Sequence, residues 1–576
     1  MANADPEISG DVLERSMIVP RSFTAAMSPD VLEPVTSLRQ VLENGAATCF
    51  VVPVDTRDPA ALERTIQSVV RQSAPNWEVL LAPADGFEAV LDEWLEIDWR
   101  IRRLPEPPDG RPDLVRAALY ATSDFIGTIT QGDLVEDELV ASISRYSQAH
   151  PRADIIYTDE ARIGEDSRLK DHFYKPDWSP EHLHSTNYVG RFTAFRKSKL
   201  LMTRVAPAVS VELQDYALLL KLAYSADEII HIDEVLYLRA GEGGRPIGGF
   251  FGEGAMAEAG KLLHAHVQEE DQRATVTQGK VSGAFEVNWP VGEVPVTLVI
   301  LTGMRTRDVP GRGNITLATH FVRSIIERSS FPNYRILLVD DGEVPDDLRT
   351  LLVRHGHDHH SYISEGAFSF AHKANFGVGL VDQGVAILLN DDMEVIEPDW
   401  IQAMAGLALR PGIGVVGGRL LYADDSIQHA GVVLGYSGAT GHILHRAPAD
   451  GGEYGGFASI TRNFSAVTGA AMAMRKSIFD SLGGFDERFC VDYNDIDFCL
   501  RLRGAGYRVA LTPAASLYHF HNSSLKRRHD DEFERRMFVE RWGSSIARDP
   551  YYSQYFQRRR DDQPLLFSDV EPTDDT

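Results

Sequence analysis

Four groups of residues in the C-terminal half combine acids, amides and histidines in spacings that chemistry can use. The first is Asp340-Asp341-Gly342, directly after the apolar run RILLV. Ligands of open α/β sheets collect outside the carboxyl ends of the strands, so acids there can meet a nucleotide base or ribose; an Asp-Gly turn would place the same residues with no ligand at all. The second is Asn390-Asp391-Asp392, directly after VAILL. Consecutive acids at a strand end concentrate negative charge, which Mg²⁺ or Mn²⁺ bridging carboxylate and diphosphate oxygens would offset, and a solvated turn is the alternative. The third lies in VDYNDIDFCLRLRGAGYR, where Ile496, Cys499 and Leu500 share one face of a helix that stops near Gly504 and Gly506. Asp492 and Asp495 therefore sit near its start. The helix dipole favours acids there without any function, and a carboxylate at a site edge can also take the proton of an attacking hydroxyl. The fourth is Leu517-Tyr518-His519-Phe520-His521, a strand-like segment with both histidines on one side, of which His519 is the better placed to complete a metal shell. The run His355, His357, His359, His360 reads as a polar loop between strands.

These groups need a scaffold, and the chain supplies one twice. From Thr48 short apolar runs alternate with amphipathic stretches: CFVVPV, ALERTIQSVVRQ, EVLLAP, LVRAALYA, FIGTIT. Strand and helix in alternation predict a doubly wound α/β sheet. The same order restarts at Val296 with VTLVILT, LATHFVRSIIERS, RILLVDD, AHKANFGVGLV and VAILLNDD. Short matches recur at nearly constant offset. Pro75-Asn76-Trp77 matches Pro332-Asn333-Tyr334, Asp133 matches Asp392, Gln214-Asp215 matches Asn494-Asp495, and VLYL (235–238) matches SLYH (516–519). The one large jump in offset predicts about twenty extra residues in the second copy, within 418–465. The resulting division is a lead-in at 1–45, a first domain at 46–245, a connector at 246–292 with one helix and two strands, a second domain at 293–525, and a helical extension with an acidic tail at 526–576.

Composition narrows the function classes. The chain has 576 residues, of which 43% are hydrophobic and 24% charged, enough for several packed cores. Acids outnumber bases 84 to 57, for a net charge of −27, which argues against a nucleic-acid partner. Cys49, Cys490 and Cys499 are too few and too scattered for a disulfide framework or a four-cysteine zinc site, and a reducing cytosol fits. MANADPEISGDVLERS lacks the basic and apolar regions of a secretory signal, and no apolar run reaches the ~18 residues of a membrane span. A cytoplasmic location is expected.

The stretches ILLNDDMEVIEPDW, GRLLYADDSIQHAGVVLG, NFSAVTGAAMAMRKSIFDSLGGFDERF, NDIDFCLRLRGAGYR and LYHFHNSS together resemble the family 2 inverting glycosyltransferases of the GT-A fold, most of all the two-domain bacterial type that builds O-antigen and rhamnose-rich polysaccharides. In the first half PNWEVLLA, ADIIYTDEARI and YKPDWSPEHLHSTNYVGRF resemble the first domain of such proteins, and ERWGSSIARDPYY resembles their C-terminal extension. The resemblance covers about 45–560. It implies two tandem GT-A domains and a divalent cation, Mn²⁺ or Mg²⁺. It also implies a nucleoside-diphosphate sugar donor, with rhamnose a family-level expectation, and a glycan or lipid-linked glycan acceptor reached at the inner face of the membrane. Carried over by position, Asp340 contacts the nucleotide base, with Asp341 and Asp391 beside it; Asn390 and Asp392 hold metal and diphosphate; His519 completes the metal site; Asp495 is the catalytic base. VILTGMRT departs from the family's proline-containing strand end at Gly303.

The first copy departs further. Its counterparts are Asp85 in APAD, Asp133 in TQGD and Asp215, while Leu238 stands where the second copy has His519. A shell missing most of its ligands binds a metal–diphosphate complex poorly. The expectation is therefore one working domain, the second, with the first supporting stability, acceptor binding or assembly. The competing readings are a bifunctional transferase and a non-catalytic carbohydrate-binding scaffold. The basic run Lys526-Arg527-Arg528 offers weak attachment to anionic lipid.

Overall fold

The computed structural model describes residues 47–54, 58–83, 94–96, 98–105, 113–164, 168–203, 209–241, 249–364, 366–449, 456–520 and 531–556. The lead-in, Asp85, His521, the basic run at 526–528 and the acidic tail lie outside the described residues.

Two sheets organise the chain, and their strand orders are the same. In the first the order is Ile101–Arg103, Trp77–Pro83, Thr48–Val54, Phe125–Thr128, Thr193–Arg196, Ala153–Ile163, Glu228–Ala240, Leu134–Val135. The first four are parallel; Thr193–Arg196 runs antiparallel to both neighbours. In the second the order is Asp358–Ser361, Tyr334–Asp340, Val296–Leu301, Val385–Asn390, Ala471–Arg475, Ile413–Leu421, Arg508–His519, Met393–Val395, with the same directions. The registers agree as well: Leu134 faces Leu238 in the first sheet, and Met393 faces His519 in the second. Two copies of one mixed α/β fold are therefore present, as the repeats predict. Residues 422–470 join two strands that residues 164–192 join in the first copy, longer by about twenty residues.

Chain order and compactness do not coincide. One compact unit holds residues up to Phe173 with Arg191–Asp215 and Leu222–Gly244; the other holds Arg245–Thr576 with Tyr174–Gly190 and Tyr216–Lys221. Within the second unit, Ser179 Oγ donates to Asn463 Oδ1 at 2.7 Å and Glu181 pairs with Arg508 at 2.9 Å. The expected connector elements are the helix Glu253–Glu270 and the antiparallel pair Thr275–Gln278 and Phe285–Asn288, all in this unit.

The central strands of the second sheet are buried along their length because helices cover both faces, which is why VTLVIL and VAILL are apolar without alternation. Helix Leu317–Arg328 buries Leu317, Phe321, Val322 and Ile325 at helical spacing. Helix Phe370–Gly379 lies so close to the sheet that a Cβ on Gly377 would fall 2.8 Å from Val299 and 2.9 Å from Val339, so only glycine fits.

The strand Met393–Val395 at the sheet edge is pinned by one acid. Buried Glu394 accepts from Arg312 Nε at 3.0 Å and Arg328 Nη1 at 2.8 Å, and His320 Nε2 lies 2.7 Å away. Burial opposes ionisation, but these three partners win and hold the carboxyl down at about 2. A depressed carboxyl adds stability above the unfolded-chain value and loses it as pH falls through the folded one. Glu394→Gln is expected to lower stability by roughly 2–3 kcal/mol at pH 7. The deficit should shrink as pH falls from 5 towards 2, read by thermal melts across that range; a pH-independent deficit would contradict the electrostatic origin.

Candidate active site

Three parallel strands, Tyr334–Asp340, Val296–Leu301 and Val385–Asn390, end at one edge, in register as Val339, Leu301 and Asn390. Asp340, Thr302 and the Asn390-Asp391-Asp392 turn therefore emerge side by side. Asp340 is fully buried. Although burial pushes its carboxyl up, Ser361 Oγ and Gly342 N each donate to Oδ1 at 2.7 Å, and His359 Nδ1 stands 3.1 Å from Oδ2, so the carboxyl is held below its ordinary value. Here the polar-loop reading of 355–360 needs correction. His359 and His360 lie in the edge strand Asp358–Ser361, which pairs with Tyr334–Asp340 and aims His359 at the acid. Asp341 is exposed and paired with Lys373.

Lys373 itself is buried, on helix Phe370–Gly379, and its ammonium also donates to the Thr302 carbonyl at 2.7 Å. Thr302 Oγ1 in turn donates to Asp391 Oδ2 at 2.5 Å. Burial, reinforced by the charge of Asp392, raises the Asp391 carboxyl to about 6 in spite of Thr302 and Lys373. The edge is thus loaded with negative charge that the protein's own cation offsets in part.

Asp392 Oδ1 lies 3.0 Å from His519 Nε2, and Asn390 Nδ2 lies 3.4 Å from the same nitrogen. Antiparallel pairing of Met393 with His519 brings the two motifs together, and Phe520 N donates to the Asp392 carbonyl at 2.7 Å. The imidazole is oriented from behind. Its Nδ1 faces Gln428 Oε1, and Gln428 Nε2 donates to the His519 carbonyl at 3.3 Å, so Nδ1 carries the hydrogen and Nε2 turns to Asp392.

Asp495 joins the same edge through the backbone. Asn390 N donates to Ala470 O at 3.0 Å, and the adjacent Gly469 N donates to Asp495 Oδ2 at 2.7 Å. Ile496 N donates to Asp495 Oδ1 at 2.8 Å. Burial is the largest influence on this carboxyl and raises it above its ordinary value, against the hydrogen bonds from Gly469 and Ile496. The neighbouring Asp497, the natural substitute for Asp495, is fully buried and committed elsewhere: Arg501 lies 2.8 Å away, Arg541 2.6 Å, and Trp542 Nε1 donates to it at 3.0 Å. Asp492 lies outside the helix, which begins at Asn494.

The counterparts in the first unit are differently bound. Asp133 accepts from Tyr237 OH at 2.7 Å and Ala240 N at 2.9 Å, and burial raises its carboxyl. Asp215 is buried against Arg191, and Thr128 Oγ1 donates to it at 3.3 Å. Asp85 lies outside the described residues.

Sequence reasoning did not single out Lys373 or Thr302, and it placed His359 in a polar loop. Lys373 shares the buried face of its helix with Ala371, Ala374 and Val378, and a charge on that face was the signal available.

Residues 316–537 match the family model described as glycosyltransferase like family 2. An uncharacterised protein of Sinorhizobium fredii, y4gI, is 32% identical over 92% of the chain and 59% of its own length. The O-antigen biosynthesis protein RfbC of Myxococcus xanthus is 30% identical over 83% of the chain and 37% of its own. The chain thus spans between about a third and three fifths of these relatives. Solved structures with local likeness include GalNAc-T7 with UDP, GalNAc and Mn²⁺, 13% identical over 42% of the chain and 46% of that protein at a TM-score of 0.32. Residues 1–349 of Staphylococcus aureus TarS with UDP-GlcNAc are 14% identical over 39% of the chain and 67% of that one, at 0.31.

The raised Asp391 carboxyl gives a measurable sign. Its folded value lies above the unfolded one, so ionisation costs stability above pH 6 and nothing below about pH 4. Asp391→Asn keeps the acceptor for Thr302 and removes the charge. In chelator at pH 8 this variant is expected to be more stable than the wild type, by at most about 3 kcal/mol, with the two converging near pH 4. Equal melting at pH 8 would contradict this.

Proposed function

We propose, from the match of residues 316–537 to the family model described as glycosyltransferase like family 2, that the second unit is a metal-dependent inverting glycosyltransferase that moves a sugar from a nucleoside-diphosphate donor to a hydroxyl of a bacterial surface glycan. The observation that carries this reading is the meeting of Asp340, the Asn390–Asp392 turn with His519, and Asp495 on one sheet edge. The O-antigen name of a relative supports a glycan acceptor, and rhamnosyl transfer is the finer form of the proposal.

The residues present fit a divalent cation. Asp392 and His519 hold an oxygen and a nitrogen 3.0 Å apart, the edge that ligand bonds of ~2.1 Å make in an octahedral shell, and Asn390 borders the same nitrogen. A mixed carboxylate, amide and imidazole set suits Mn²⁺ or Mg²⁺. When bound there, the cation would neutralise charge on the departing diphosphate. Asp340 then accepts from the base or ribose of the nucleotide, keeping its ionised form through Ser361 and Gly342. Asp495 takes the proton of the acceptor hydroxyl as its oxygen attacks the anomeric carbon from the face opposite the leaving diphosphate, inverting the configuration.

The second domain is proposed to be the working one. Asp215 in the first is quenched by Arg191 and Leu238 replaces the metal-binding histidine, which disfavours the bifunctional reading. The described residues contain no helix long and apolar enough to cross a membrane; with a lipid-linked acceptor, action at the cytoplasmic face of the inner membrane is part of the proposal.

Turnover of a nucleotide-sugar panel, read as nucleoside diphosphate release, is expected to need Mn²⁺ or Mg²⁺ and to vanish in Asp392→Ala; full activity in excess chelator would refute metal dependence. Asp495→Asn should bind donor normally and lose transfer by ~10²–10⁴-fold. Near-normal transfer by that variant would assign the base elsewhere. The combined Asp133→Ala and Asp215→Asn variant is expected to transfer at close to the wild-type rate with its circular dichroism unchanged, and a loss matching that of Asp495→Asn would establish two active domains.

A further inference from the structure

The C-terminal helix Asp531–Ile546 grips the turn that leads into Asp495 at three successive levels. At the first, the buried Glu534 carboxylate accepts from three consecutive backbone N–H groups: Cys490 at 2.9 Å, Val491 at 3.3 Å and Asp492 at 2.7 Å. Such a run of amides pointing one way is an anion nest. The same segment is held on its carbonyl side by Phe370 N, which donates to Cys490 O at 2.7 Å. At the second level, one turn on, Phe538 stacks on Tyr493 with ring centroids 4.7 Å apart and 21° between planes. At the third, Arg541 and Trp542 reach Asp497 on the base-bearing helix itself.

What lies between these grips is unusual. Tyr493 has φ of 63° and ψ of −3°, a left-handed backbone that a tyrosine rarely adopts and that persists only where surrounding contacts over-determine it. It is the residue before the helix Asn494–Gly504, and it sets the direction in which Asp495, two positions later, leaves the chain. Asp495 has backbone partners of its own at Gly469 and at Ile496, the latter in the first turn of the helix that Tyr493 introduces.

We propose that Glu534 and Phe538 are positioning residues for the base: the C-terminal helix holds the left-handed Tyr493 turn so that the Asp495 carboxylate faces the acceptor hydroxyl. This rests on the assignment of Asp495 as base in the second domain. The helix touches neither Asp392 nor His519 among the contacts described, so its contribution falls on the acceptor half of the reaction and not on donor or metal binding.

The test compares Glu534→Ala, Glu534→Gln and Phe538→Leu with Glu532→Ala, a solvent-exposed position on the same helix. Three quantities are read: kcat and KM for the donor found in the panel, affinity for Mn²⁺ with the matching nucleoside diphosphate by calorimetry, and backbone hydrogen exchange. Glu534→Ala is expected to lower kcat about 10- to 100-fold, the cost of a displaced reacting group, with KM and diphosphate affinity within about twofold of wild type. Peptides covering 488–497 should lose exchange protection while those from the sheet keep theirs. Glu534→Gln should fall between, since its amide keeps one acceptor for the nest, and Glu532→Ala should match the wild type. Unchanged kcat in Glu534→Ala with an exposed turn overturns the proposal, as does diphosphate affinity falling in step with kcat, or protection lost evenly over the sheet. If the wild type turns over no donor, the glycosyltransferase reading fails; the exchange experiment still decides whether Glu534 holds the turn, and unaltered protection at 490–492 overturns that as well.

Discussion

Carboxylates crowded at the ends of the parallel strands of a mixed sheet are the constraint from which the rest of the second unit follows. Parallel strands deliver their C-terminal ends together, so Asp340, Asp341, Asp391 and Asp392 cannot avoid one another. Each is managed differently. Asp340 is surrounded by donors and stays ionised, Asp341 is neutralised by Lys373, and Asp392 meets His519. Asp391 is left with a raised proton affinity. Repulsion that is balanced in this way keeps the edge folded with part of its negative charge in place.

The two copies show how differently one fold can bind its corresponding acids. Strand order, direction and register are shared, down to the pair that places Leu238 where His519 stands. What differs is side chains. Asp215 has acquired a buried arginine partner and Asp133 is tied to Tyr237 and a strand amide, so both acids now work as internal hydrogen-bond and ion-pair centres. Removing either acid would leave a buried donor unmet.

Much of this was legible in the sequence because it depends on local pattern. Apolar runs ending in acids gave the strand ends, and the repeat offsets gave both copies and the longer second insertion. The helix at Asn494 followed from spacing and glycine stops. What escaped was of another kind. His359 reads as part of a polar histidine loop until pairing with Tyr334–Asp340 makes it an edge strand facing Asp340, and no local signal specifies that pairing. Lys373, Gln428 and Glu534 act over separations of dozens of residues, through contacts that only the folded chain creates. Nor does the sequence show that Asp497, two positions after Asp495, is occupied by Arg541 and Trp542 from more than forty residues further on.

That Glu534, Phe538 and Arg541 follow everything else that builds the edge has a consequence during synthesis. The ribosome releases Asp340, Asp392, Asp495 and His519 before the helix that steadies the Tyr493 turn, and a nascent chain can pair all the strands of the second sheet without it. A chain stalled or clipped before residue 531 would carry the acids of the edge without the helix that binds the Cys490–Asp492 amides, so the order of translation makes that helix a completion step for the turn.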